Sequence, residues 1–361
     1  MASEQLRSYR IAVIPGDNVG KEVIPEALKA LRAATRRTGP ALEFTPFPWG
    51  ADHYLATGEV MAPDGLVRLA GFDAILLGAL GDPARVPDHV ISWGLMQQLR
   101  KQFDLYINLR PIRQLPGVRS PLATLTGLDL VVVRENSEGE YAGVGGRLHA
   151  GTPHEVALQT SVFTRHGTER VMRYAFELAR SRGKQRKVTS VTKSNAMNYS
   201  MVFWDQIFQE VAREYPDIQT EKYHVDAMSM YLIQRPATFD VIVASNLFGD
   251  ILSDEAAAIH GGIGLAAGAN LNPERRFPSM FEPIHGSAPD IAGRRQANPV
   301  AAVLAACLMM EHVGEADTAG LLRAAVEEVL AAGEVCTPDL GGTATTVAMG
   351  DAIAAAVERL G

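Results

Sequence analysis

Within Asn246-Leu-Phe-Gly-Asp-Ile-Leu-Ser-Asp254 two carboxylates, Asp250 and Asp254, stand four residues apart in an apolar run. On a helix that spacing puts both on one face, where like charges raise each other's pKa unless a cation lies between them. Hard oxygen ligands so placed suit Mg2+ or Mn2+, ions that keep waters and share oxygens with a substrate. The spacing equally suits a first helical turn whose solvated acids offset the helix dipole. A third carboxylate, Asp226 in Tyr223-His-Val-Asp-Ala-Met228, follows another strand-like run and favours the metal reading.

Arg100, Arg110 and Arg134 each end a regular element, in Leu99-Arg100, Asn108-Leu-Arg110-Pro111 and Val131-Val-Val-Arg134-Glu135-Asn136. A guanidinium on the edge of an apolar strand is costly unless its fork meets a carboxylate or phosphate. Taken singly, each reads as a surface ion pair; together they suggest a pocket for a small di- or tricarboxylic acid. Lys193, in Ser190-Val-Thr-Lys193-Ser-Asn195, ends a strand and becomes a general-base candidate beside a metal. Tyr141 follows the turn Asn136-Ser-Glu-Gly-Glu, where an aromatic ring could simply pack. His285 heads a Gly/Ser/Pro loop whose amides could cradle a phosphate.

Short β-rich runs alternate with helical patterns: 10–14 then 21–37, 74–77 then 90–102, 128–133, 187–192 then 198–213, and 240–244 then 251–260. Such alternation predicts a largely parallel α/β sheet with function at the carboxyl ends of its strands. Residues 140–163 break the pattern with Gly-rich turns and a β-type run, as expected of a hairpin arm that leaves the sheet. Ala-rich helices at 300–312, 318–332 and 345–360 close the chain.

Length and composition fit two domains or one large α/β unit: 361 residues, 47 % hydrophobic and 21 % charged. The net charge of -7, with both signs mixed, argues against a nucleic-acid or anionic-membrane surface. Two cysteines, no signal-like leader and no apolar run long enough to span a bilayer suggest a cytoplasmic protein. Gly16-Asp-Asn-Val-Gly20-Lys21 is one residue short of a P-loop and reads as a turn with Asp17 or Asn18 as N-cap. Gly262-Ile-Gly264-Leu-Ala-Ala267 fits a relaxed dinucleotide fingerprint, yet follows a helix rather than a strand.

Ile14-Pro-Gly-Asp17, Asn108-Leu-Arg-Pro111, Arg134-Glu-Asn136, Lys193-Ser-Asn195, Asn246 to Asp254, His285-Gly-Ser-Ala-Pro-Asp290 and Asp339-Leu-Gly-Gly342 occur in the order seen in the β-decarboxylating dehydrogenases. The chain resembles that family, which includes isopropylmalate, isocitrate, tartrate and D-malate dehydrogenases, over nearly its whole length. The resemblance implies a two-domain isopropylmalate dehydrogenase-like fold with parallel and mixed sheets, not an ordinary Rossmann domain. One domain would be 1–105 with 261–361, the other 106–260 with a dimerisation arm near 142–163. It implies Arg100, Arg110 and Arg134 as substrate binders, Asp250 and Asp254 as metal ligands, and Asp226 and Lys193 as residues reaching the site from the partner of a homodimer. Lys193 would be the base and Tyr141 the proton donor. His285, Gly286, Ser287, Ala288, Asp290, Ile291, Asn298 and Asp339 would hold the adenosine of NAD, with Asp290 repelling the 2′-phosphate of NADP. A monovalent cation such as K+ is a further candidate cofactor.

Trp93 and Gln97 stand where isopropylmalate enzymes carry a Glu and a Leu, which disfavours an isopropyl pocket. Pro87-Asp-His89 followed by Trp93-Gly94 resembles the tartrate and D-malate members instead. The expected reaction is therefore oxidative decarboxylation of D-malate to pyruvate and CO2, with tartrate as an alternative substrate. Asn18 and Ala196 replace glycines usual in the family. Isopropylmalate dehydrogenase is the rival within the family, and a non-catalytic, metal-dependent carboxylate-binding protein the rival outside it.

Overall fold

A computed structural model describes residues 7–123 and 125–361. The chain folds as two compact units, the first Met1–Leu105, Gln114–Ala123 and Ala257–Gly361, the second Tyr106–Arg113 and Thr124–Ala256.

Unit 1 is built on β1 (Ser8–Gly16), β2 (Ala41–Pro46), β3 (Ala74–Ala79), β11 (Ala267–Leu271) and β12 (Ser279–Pro283), in the order β2-β1-β3-β12-β11. Only β11 runs antiparallel to its neighbour β12. Ile11 to Ile14 and all of β3 are buried, the unbroken apolar signature of strands covered on both faces. Helices Gly20–Thr38, Val300–Val313, Ala316–Ala332 and Thr346–Leu360 belong to this unit.

Asp17 does not cap the helix that follows it. Helix Gly20–Thr38 starts without a side-chain cap, and Asp17 is 1 % exposed, accepting hydrogen bonds from the Ala51 amide at 2.8 Å and the Gly81 amide at 2.9 Å. Its carboxylate fastens the first residue of helix Ala51–Thr57 to the loop after β3, a role that local spacing does not reveal. Asn18 does not cap either; it sits at φ 47°, a conformation that Asn tolerates and Gly adopts freely.

Unit 2 orders β4 (Ile107–Arg113), β5 (Asp129–Glu135), β10 (Val241–Ala244), β8 (Lys187–Thr192) and β9 (Gln219–His224) as β4-β5-β10-β8-β9. β4 is antiparallel to β5 and the rest are parallel, so the sheet is mixed. β6 (Gly139–Leu148) and β7 (Val156–Val162) pair as a separate antiparallel hairpin, where the arm was expected. Val144, Leu148, Val156 and Leu158 are exposed on it.

Among the described residues no helix is long and apolar enough to cross a membrane.

Candidate active site

The antiparallel register of β4 and β5 sets Asn108 opposite Arg134, with Arg110 two residues along the same face. β10 lies on the other side of β5, with Ala244 beside Arg134, and the chain then enters helix Asn246–His260. This helix begins five residues earlier than the expected 251–260, because Asn246-Leu-Phe-Gly249 is its first turn rather than a loop. Asp250 therefore lies in the second turn and Asp254 in the third, so neither acts as a first-turn acid. Gly249 permits close packing, since a Cβ there would fall 2.6 Å from Arg134 Cβ.

The arginines are not surface residues: exposure is 4 % at Arg100, 5 % at Arg110 and 1 % at Arg134. Arg110 reaches Asp250 Oδ1 and Asp254 Oδ1, both at 3.1 Å, and Arg134 Nη1 contacts Asp250 Oδ1. Three neutral partners missed in the sequence fix the forks. Asn246 Oδ1 accepts from Arg134 Nε at 3.0 Å and Nη2 at 2.7 Å, Asn108 Oδ1 from Arg110 Nε at 3.0 Å, and Ser253 Oγ from Arg110 Nη1 at 2.7 Å. Helical spacing could have found Asn246, which precedes Asp250 by four residues, and strand alternation Asn108, two before Arg110.

Tyr141 Oη donates to Asp250 Oδ2 at 3.2 Å. Burial, helped by the Asp250 charge and opposed by Arg134, pushes the phenol's pKa above its usual value. The proton therefore stays on Tyr141 at neutral pH. Asp254 is also raised, chiefly by burial, with Asp250 adding to it and Arg110 and Arg134 opposing. Mutual repulsion of the two carboxylates, expected to dominate, is the smaller cause. The side chain of Asp254 is still 49 % exposed, leaving it open to an incoming ligand.

Lys193 and Asp226 meet elsewhere in unit 2, Nζ to Oδ1 at 2.7 Å, and this bond lowers the pKa of Asp226. Among the described residues no group of three His, Cys, Asp or Glu side chains is arranged to hold a metal ion. A single chain thus offers Asp250 and Asp254 as one pair and Asp226 with Lys193 as another.

Glu135, next to Arg134, is 3 % exposed and accepts from the Ser137 amide at 2.8 Å, Ser137 Oγ at 2.6 Å and the Glu138 amide at 3.0 Å. Burial outweighs these bonds and pushes its pKa from 4.5 to about 7. The folded state then binds this proton more tightly than the unfolded state. Its contribution to stability is complete below pH 4.5 and is lost as pH rises to about 7, a change of about 3 kcal/mol. Glu135→Gln should therefore gain stability relative to wild type across that window. Urea midpoints of the two proteins would show it, and midpoints that stay parallel with pH would sink the assignment.

In unit 1, Arg100 reaches Asn270 Oδ1 at 3.0 Å and Glu282 Oε1 at 3.4 Å. The helical stretch before it contains a π-turn at Ser92–Met96, a distortion that often marks functional segments. Trp93 is 42 % exposed with Lys101 Nζ 4.5 Å from a ring centroid, whereas Gln97 is buried.

The loop from His285 to Ile291 also belongs to unit 1. The Val19 amide donates to the Ser287 carbonyl at 3.2 Å, and Ala288 takes φ 44°. His285 Nδ1 lies 2.9 Å from the Gly286 carbonyl, so it carries the proton, while the buried Nε2 has no partner among the described residues. Burial lowers the imidazole pKa, which keeps Nε2 a neutral acceptor suited to an amino group such as that of adenine. Gly286 and Asp290 are exposed and Ile291 half-buried. Asn298 Nδ2 donates to Asp339 Oδ2 at 3.0 Å, and Thr337 Oγ1 to Asp339 Oδ1 at 2.5 Å. A Cβ on Gly264 would lie 2.8 Å from Asp339 Oδ2, so this glycine of the false fingerprint is needed for packing.

Residues 10–353 match the isocitrate/isopropylmalate dehydrogenase family. The chain is 49 % identical over 356 residues to a probable tartrate dehydrogenase/decarboxylase of Bacillus subtilis, covering 98 % of this chain and 99 % of that one. It is 49 % identical over 363 residues to the decarboxylating D-malate dehydrogenase of Escherichia coli, covering 98 % and 100 %. The crystal structure of isocitrate dehydrogenase from Methylococcus capsulatus superposes with a TM-score of 0.89 at 36 % identity, covering 97 % of this chain and 99 % of that one.

Proposed function

This chain belongs to the isocitrate/isopropylmalate dehydrogenase family, and from that premise we propose that it catalyses NAD-dependent oxidative decarboxylation of a 2-hydroxy diacid, D-malate first and tartrate second. The observation that carries the reading is the convergence of Arg110, Arg134 and the Tyr141 hydroxyl on Asp250, one turn from Asp254. Similarity to enzymes named for tartrate and D-malate supports the choice of acid.

Asp250 and Asp254, with Asp226 from a second copy, would hold Mg2+ or Mn2+, which when bound polarises the substrate's hydroxyl and adjacent carboxylate. The donor set fits, since two carboxylates share a helix face and one remains half open to solvent. NAD supplies the hydride acceptor; the unpartnered Nε2 of His285 and the exposed Asp290 suit its adenine and its unphosphorylated ribose.

Arg100, Arg110 and Arg134 hold the substrate's carboxylates by charge-assisted forks. Lys193 takes the proton of the hydroxyl as the carbon beside it is oxidised. The carboxylate β to the new ketone then leaves as CO2 from the carbon α to that ketone, and Tyr141, protonated at neutral pH, gives that α carbon its proton. Lys193 and Asp226 act on the partner's site in this scheme, which makes the homodimer the active unit. Two free cysteines, Cys307 and Cys336, accord with a cytoplasmic location.

NADH absorbance should rise with D-malate or tartrate in the presence of Mn2+, and less or not at all with 3-isopropylmalate. K+ and Mg2+ can be varied in the same assay. Preference for isopropylmalate would overturn the substrate assignment, and silence across a broad panel of 2-hydroxy diacids would overturn the enzyme.

A further inference from the structure

Tyr141 stands in a bulge. Between the pairs Gly139↔Val162 and Val144↔Thr160, four residues of β6 face one residue of β7. Bulged residues lose ladder hydrogen bonds and redirect a side chain, so a group outside the ladder must fix them. Glu140 does so at three points. Its carbonyl accepts from Gln159 Nε2 at 3.2 Å, its Oε1 from Ser245 Oγ at 2.8 Å, and its Oε2 from the Leu247 amide at 3.0 Å.

The Leu247 amide belongs to the first turn of helix Asn246–His260, where backbone donors have no partner within the helix. A carboxylate at that end also meets the positive pole of the helix dipole. The next residue, Tyr141, touches the same helix one turn later, at Asp250. Two consecutive residues of the bulge are thus tied to two consecutive turns of the helix that carries both metal-ligand candidates.

We propose that Glu140 is a positioning residue: it clamps the bulged strand to the start of helix Asn246–His260 and so holds the Tyr141 hydroxyl at Asp250. The proposal rests on Tyr141 being the proton donor and Asp250 a metal ligand. Glu140 touches no reacting atom. Its effect is on where the proton is delivered, so its loss lowers kcat rather than raising KM.

Glu140→Gln keeps the size of the side chain and places an amide where two donors point; Glu140→Ala removes the clamp. With D-malate and Mn2+, both variants should lose roughly 10–100-fold in kcat, as for other ångström-scale misplacements, with KM within about 3-fold. In a Tyr141→Phe background, Glu140→Gln should cost nothing further, because it acts only through that hydroxyl. Ser245→Ala, which removes one contact, should shift kcat in the same direction by less. Amide hydrogen exchange at 139–148 and at Leu247 should quicken in Glu140→Ala, a readout independent of turnover. Unchanged kcat in both Glu140 variants, losses that multiply with Tyr141→Phe, or unaltered exchange would each overturn the clamp. A wild-type protein that turns over no hydroxy acid counts against the proposed reaction, and exchange alone then decides the clamp.

Discussion

Lys193→Ala should slow turnover by roughly 10²–10⁴-fold, the range over which a positioned base acts, while Mn2+ and NAD still bind. The amine lies 2.7 Å from Asp226 Oδ1, and its loss leaves that carboxylate, the proposed third ligand, in place. Normal turnover in the variant would remove Lys193 from the mechanism. The same substitution also tests how the site is divided. Within one chain, among the described residues, no three acidic or nitrogen ligands come together. Mixed refolding of Lys193→Ala chains with Asp250→Asn chains should therefore restore about a quarter of wild-type activity, since each heterodimer has one site free of both changes. A mixture as inactive as its parents would show that each site is made by one chain.

Asp250→Asn should weaken Mn2+ binding by more than roughly 100-fold, since even outer-sphere partners of a metal cost 10–100-fold. Activity should fall with it and not recover at accessible metal concentrations. The substitution has a second effect, because Asp250 is the carboxylate shared by Arg110 and Arg134. Stranding a buried charge costs roughly 3–5 kcal/mol. The loss here should be smaller, because Asn246 Oδ1 still accepts two bonds from Arg134 and Asp254 still pairs with Arg110. Mn2+ titration followed by electron paramagnetic resonance, beside a thermal melt of the same sample, separates the two effects. Undiminished Mn2+ affinity in a folded variant would exclude Asp250 as a ligand.

Features governed by local pattern were legible in the amino-acid order. Ile11 to Ile14 and Val131 to Val133 announce strands covered on both faces because no polar residue interrupts them. The pairing of Asp250 with Asp254 follows from helical spacing alone. Features governed by distant partners were not legible. Asp17 looked like a cap because its neighbours form a turn, yet its hydrogen bonds go to Ala51 and Gly81. Asn246 to Gly249 lay outside the expected helix 251–260, yet they form its first turn, where glycine, a poor helix former, is required by the Arg134 side chain packed against it. The bulge in β6 left no mark, since four residues opposite one is a property of two strands and not of either alone.

The hairpin of β6 and β7 bears on how the protein assembles. Val144, Leu148, Val156 and Leu158 lie exposed on two strands that, among the described residues, pair only with each other. An isolated two-stranded ribbon is marginal in water, so beyond the contacts of Glu140 and Tyr141 at its base little within one chain rewards its formation. If a second copy supplies the covering surface, the ribbon's folding becomes an encounter between chains. Recovery of activity after dilution from denaturant would then depend on the square of chain concentration, and newly made chains would stay inactive until they met.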